Sequence, residues 1–145
     1  MSRYRYVAEM AENGDLYLPV PCFNMISGGR QAGNSIPCEK FMILPIGAES
    51  FVDAMKMGNE VYRVLERKIA EAQEIQLPLA VSDDGAYAPL LEDDKDALTL
   101  IDESIRDAGY EGRIKIAIDM AASAFYKEGQ LTMDTVFIIR RNSFH

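Results

Sequence analysis

The stretch from residue 18 to 47, LPVPCFNMISGGRQAGNSIPCEKFMILPIG, limits the folds open to this chain more than any other. It is an apolar run, a glycine-bearing loop and a second apolar run, with no helical period inside it. Val20, Cys22, Phe23, Met25 and Ile26 are β-compatible and nearly continuous, which predicts a strand covered on both faces. Gly28, Gly29, Gly33 and Asn34 then break the pattern into a loop. Residues 41–46 predict a second short strand, closed by Gly47. Backbone without Cβ lets a ligand approach closely, and loops on a rigid sheet carry most chemistry. The connection between these strands is therefore the first candidate site.

The rest of the chain supplies helices and one more strand. Tyr6 to Met10 predicts a short helical turn, ended at Asn13-Gly14. Ser50 followed by Asp53 is a capping signal for a long helix. Phe51, Met55, Gly58, Tyr62, Leu65 and Ile69 fall at steps of four and three and predict its buried face. Asp53, Lys56, Glu60, Arg63, Arg67 and Glu71 make the opposite face polar. After Glu74 the sequence LPLAVSDDGAYAPLL is a short apolar run that ends in an acidic turn. Asp93 or Asp94 caps a second helix, with Leu98, Ile101, Ile105 and Ala108 as its stripe and Gly109 as its stop. Ile114, Ile116 and Ile118 alternate as a third strand ending at Asp119.

A length of 145 residues suits one domain, and 48% hydrophobic residues suffice for a core. The net charge of -8 argues against a nucleic-acid or anionic-membrane surface. No apolar run reaches the length of a membrane span, and the polar start MSRYRYVAEMAENGD has no signal-peptide core. Cys22 and Cys38 suit a reducing compartment, as two buried thiols on adjacent strands. A cytoplasmic location is the expectation.

LPVPCFNMISGGRQAGN followed by FMILPIGAESF resembles the opening of the enolase catalytic barrel, and SDDGAYAP and KIAIDMAASAFYKEG continue the resemblance. Several motifs in the right order and separation carry it, not any one of them. The resemblance implies an α/β fold: a partial TIM-like barrel beginning strand-strand-helix-helix-strand. Residues 1–134 would be the N-terminal part of that barrel domain, and 135–145 an unmatched tail. A closed eight-stranded barrel needs about 250 residues. Three or four strands give only an open piece of parallel-type sheet, whose missing segments a partner would have to supply.

The resemblance also implies a reaction. Enolases remove water from 2-phosphoglycerate to give phosphoenolpyruvate, with a lysine base, Mg²⁺ to stabilise the dianion and a glutamate acid. The acid belongs to a GDEGG loop, which here reads Ser82-Asp83-Asp84-Gly85-Ala86, so Asp84 takes its place with a side chain one methylene shorter. On residues alone, Asp83-Asp84-Gly85 is equally a turn sequence. The family histidine of GGSHAGN is Gln31 here, which hydrogen-bonds but carries no proton at neutral pH. The family glutamate of QEFMI is Lys40, a reversal of sign. Asp119 matches the first Mg²⁺ ligand, at a strand end, where barrel sites are built; alone it is also a helix cap or a solvated carboxylate.

The base lysine and two further metal carboxylates belong to later strands, and neither Lys115 nor Lys127 lies in a matching motif. His145, the one histidine, reads as a free ring at the chain end. The implied ligand is a small phosphorylated carboxylate, with Mg²⁺ bound weakly or not at all. The expected chain is inactive alone. One reading is a phosphopyruvate hydratase that needs complementing by the missing segments; the alternatives are a non-catalytic interaction or regulatory chain, able to associate with full-length enolase, and a truncated gene product.

Overall fold

The structure is a computed structural model that describes residues 1–127 and 130–131, apart from the side chains of 30, 31 and 124–131. The tail 135–145, with His145, lies outside the described residues. In chain order the elements are α1 (Arg3–Met10), β1 (Phe23–Ser27), α2 (Gly29–Ala32), β2 (Lys40–Leu44), α3 (Phe51–Ala72), α4 (Asp94–Asp107) and β3 (Lys115–Asp119). A 3-10 turn at Ala122–Phe125 leads into a small hairpin of β4 (Tyr126–Lys127) and β5 (Gln130–Leu131). The expected order of strand, strand, helix, helix, strand is present. No helix among the described residues is long and apolar enough to cross a membrane.

β1, β2 and β3 form one sheet in that order, as the motif order requires. Both pairings are antiparallel, which corrects the expectation of parallel-type sheet. An antiparallel neighbour needs no crossover, so the connection after β1 simply returns the chain beside itself. The first strand is also shorter than its apolar pattern: Leu18 and Val20 are exposed and precede it. Pro19 and Pro21 withhold backbone donors there, so the ladder begins at Phe23. A register shift between Asn24 and Ile26 bends β1.

Side chains alternate along β2, with Phe41 and Ile43 buried and Lys40, Met42 and Leu44 half-buried. Phe41 pairs with Ile118 and Ile43 with Ile116, so these four side chains share one face. That face joins the core of α3 and α4, including Met57, Val61, Leu65 and Ile101. The other face of β2 and β3 carries Met42, Leu44 and Ala117, all half-buried.

α3 begins as its sequence signals, with Ser50 Oγ accepting from the Asp53 amide at 3.1 Å. Its buried stripe is Ala54, Met57, Gly58, Val61, Leu65 and Ile69. The predicted stripe is therefore right from Gly58 onward except at half-buried Tyr62, and wrong at Phe51 and Met55, which are exposed. In the first turns the helix meets the sheet one position round from the strongest apolar residues. α4 is capped by Asp93, whose carboxylate accepts from the Lys95 amide at 2.9 Å. Asp94 is instead buried and accepts from the Cys38 amide at 3.1 Å. Ile101 and Ile105 are buried as predicted, with Ala97 and Ser104, while Leu98 and Ala108 pack only partly.

The two cysteines are free. Cys38 is buried, but Cys22 is exposed, because it lies in the exposed lead-in to β1 and not within the strand. If the observed stripe sets stability, Leu65→Ala should cost about 2–5 kcal/mol. Met55→Ala should cost less, about 1 kcal/mol, since its side chain is 44% exposed. Urea unfolding of both variants compares them, and equal losses would restore the sequence-predicted stripe.

Candidate functional site

The sheet brings one end of each strand together. Ser27 ends β1, Lys40 starts β2 and Asp119 ends β3, and Lys40 is the register partner of both others. Three of the sequence-predicted site positions meet at this end. Lys40 and Asp119 are direct partners across the ladder, and the acidic loop delivers Asp84 to the same place.

That loop is a tight turn tied to β1. Ser82 N donates to Ala86 O at 2.8 Å, and Gly85 closes the turn with a φ of +84°, where a side chain would be strained. Tyr87 N then donates to Met25 O at 3.0 Å and Tyr87 O accepts from Ser27 N at 2.9 Å, so the loop hangs on β1 as a single bridge. α3 fixes it from the outside. Tyr62 stacks on Tyr87 with ring centroids 4.3 Å apart, and its hydroxyl donates to Gly85 O at 2.7 Å.

The Asp84 carboxylate is 36% exposed and takes partners on both oxygens. One oxygen accepts from Ser82 Oγ at 2.6 Å and from the Ala86 amide at 3.3 Å. The other accepts from Asn24 Nδ2 at 2.8 Å and lies 3.6 Å from Lys40 Nζ. Ser82 and Asn24 first, with Ala86 and Lys40 adding to them, hold its pKa at about 2, against an ordinary 3.8. Ser27 Oγ links the donors, lying 3.0 Å from both Asn24 Nδ2 and Ser82 Oγ. Asn24, Ser27 and Ser82 were not singled out in the sequence. The signal was there for two of them, as polar residues inside an otherwise apolar strand.

The glycine-bearing connection folds onto the same end. It contains the one-turn helix α2, where a loop was expected. Gly28 N donates to Glu39 O at 2.9 Å, and a Cβ on Gly28 would lie 2.3 Å from Cys38 O. Glycine is needed there for strand approach, whatever its value to a ligand. Asn34 Nδ2 donates to Ser27 O at 2.9 Å and to Pro89 O at 3.1 Å, stitching this connection to the acidic loop. Gln31 lies in α2, and its side chain is outside the described residues.

Asp119 is exposed, and its Oδ1 accepts from the Ala121 amide at 2.9 Å, the turn-forming bond of a strand-end aspartate. Among the described residues no three His, Cys, Asp or Glu side chains group closely enough to hold a metal. The ammonium directly across the ladder from Asp119 adds positive charge where a cation would need carboxylates. The donor set therefore does not fit Mg²⁺. Cys38 does not extend it, because burial pushes its thiol up to about 11 and its Sγ donates to Asp119 O at 3.3 Å.

The pattern of the family described as enolase, C-terminal TIM barrel domain, matches residues 15–141. The chain belongs to the enolase family. It is similar to enolase of Eimeria tenella, with 45% identity over 136 residues, covering 92% of this chain and 30% of that protein. The chain thus spans under a third of that relative's length. Its three-stranded sheet and helices are consistent with part of the family barrel.

The lowered Asp84 pKa has a consequence for stability. A carboxyl lowered on folding stabilises the fold above its unfolded value, and that contribution fades as pH falls from 3.8 towards about 2. Asp84→Asn should therefore show a shallower loss of stability than the parent over this window. Urea midpoints at stepped pH measure the difference, and parallel curves would reject the lock.

Proposed function

We propose that these 145 residues do not carry out the family's dehydration by themselves and act through association. The observation that carries this reading is the set of hydrogen bonds on Asp84. A general acid must take up a proton near working pH, and the Ser82, Asn24 and Ala86 donors favour the ionised carboxylate and move its pKa further from that range. This carboxylate is also fully engaged, by Ser82, Asn24, Ala86 and Lys40, in a direction set by the protein and not by a substrate. Lys40 and Asp84 neutralise each other, so the site offers little net charge for a phosphorylated carboxylate or for Mg²⁺.

Proton removal next to a carboxylate needs a positioned base and a cation for the dianion, and groups that act as a unit give little when one is missing. The family reaction, its Mg²⁺ and its cytoplasmic glycolytic setting would thus come to this chain only in company. The half-buried sheet face of Met42, Leu44 and Ala117 favours a second reading, docking on a full-length enolase.

The test is phosphoenolpyruvate formation, followed by ultraviolet absorbance, on protein purified free of host enolase. No turnover is expected from the chain, nor from Gln31→His, Lys40→Glu and Asp84→Glu combined. Turnover that Asp84→Ala abolishes would defeat the proposal. Binding to purified full-length enolase in sedimentation tests the second reading, which Met42→Asp should weaken by about tenfold or more.

A further inference from the structure

Sulfur gathers beside the start of β1. Cys22 stands just before the strand, two residues from Asn24 and so on the same side of the sheet. Asn24 pairs across the ladder with Met42. The register therefore brings a thiol and a thioether together, with Cys22 Sγ 3.5 Å from Met42 Sδ. The thiol is free and exposed, while Met42 is half-buried in the middle of β2. Cys22 also lines a hollow of about 390 Å³ with Asn24, Met25, Met55 and Asp84, so Met55 brings a further thioether to the same place.

Asn24, the residue that links Cys22 to Met42, gives an independent indication. Its Nδ2 is spent on Ser27 Oγ and Asp84, but its Oδ1 is buried with no hydrogen-bond partner among the described residues. A buried acceptor left without a donor is costly, and a cation beside it removes that cost.

We propose that Cys22 and Met42 bind one Cu(I) ion. Thiolate and thioether are soft donors and select a soft monovalent cation. Mg²⁺ wants oxygen ligands and Zn²⁺ a set of four. No three His, Cys, Asp or Glu side chains group among the described residues, so a harder ion has no comparable site there. With metal–sulfur bonds of about 2.3 Å, the 3.5 Å separation gives an S–Cu–S angle of roughly 100°. Opening it to trigonal takes about 0.5 Å, within the reach of a flexible methionine side chain. The thiol gives up its proton as the ion binds, so the Cu(I) thiolate is neutral and needs no carboxylate. That fits a sheet face on which Lys40 already neutralises Asp84. No oxidation is involved, because copper arrives and stays as Cu(I).

Anaerobic titration of the full chain with Cu(I), against a chromophoric Cu(I) chelator, tests the site. The expected result is one Cu(I) per chain, a thiolate-to-copper band in the ultraviolet and release of about one proton. Cys22→Ser should abolish both the band and the binding. Met42→Leu keeps the volume and the apolar face, and should weaken binding at least about tenfold, as even the loss of an outer-shell partner does. Circular dichroism checks the fold of both variants. Cys22 lies outside the strand, so Cys22→Ser keeps the test open if Met42→Leu disturbs the sheet. Cu(I) held equally well by a folded Met42→Leu would reduce the site to a bare thiol and overturn the proposal. So would binding that survives Cys22→Ser, Zn²⁺ that displaces Cu(I) at equal concentration, or a chain that leaves all the copper with the chelator.

Discussion

The structure depends on one apolar seam, the face of β2 that points at α3. Phe41 and Ile43 are fully buried, and their ladder partners Ile118 and Ile116 extend the same face into β3. Met57, Val61, Leu65 and Ile69 of α3 close it, with Ala97, Ile101 and Ile105 of α4 beside them. Each large aliphatic side chain taken out of water contributes about 1.5–3 kcal/mol, more than an exposed ion pair contributes. The strand ends inherit their positions from this seam. Lys40 and Asp119 stand where they do because Phe41 and Ile118, one residue along, are held in the core.

Much of this was legible in the sequence. Local signals gave the Ser50 cap, the α4 stripe at Ile101 and Ile105, the stop at Gly109 and the Ile114, Ile116, Ile118 strand, because each depends on neighbours a few residues away. Strand direction, the exposure of Cys22 and the turn of α3 at Phe51 and Met55 were not legible. These depend on which surface is nearby in space, and periodicity does not record that. Phe51 and Met55 fit a helical stripe perfectly well, yet they are 41% and 44% exposed because the helix meets the sheet one position round.

The candidate site shows the same division. Asp84, Lys40 and Asp119 stand at one end of the sheet. What the motifs could not show was the company Asp84 keeps. Asn24 and Ser27 come from β1, some sixty residues earlier in the chain, and only the Tyr87 bridge brings the acidic loop down on them. A carboxylate in a turn sequence and a carboxylate in a closed hydrogen-bond network look alike until that bridge is known.

The network also explains why the two departures from the family pattern belong together. Glutamate at position 40 alone would remove the ammonium paired with Asp84 and set a second carboxylate in its place. At a separation near 3.6 Å, repulsion between two carboxylates would then oppose the Ser82 and Asn24 bonds that lower the Asp84 pKa. Lengthening Asp84 to glutamate alone would push its oxygens past Ser82 Oγ and the Ala86 amide, which now hold them at 2.6 and 3.3 Å. Each change costs something while the other is absent. Asp84 and Lys40 are thus a coupled pair in a self-neutral turn at the end of the sheet.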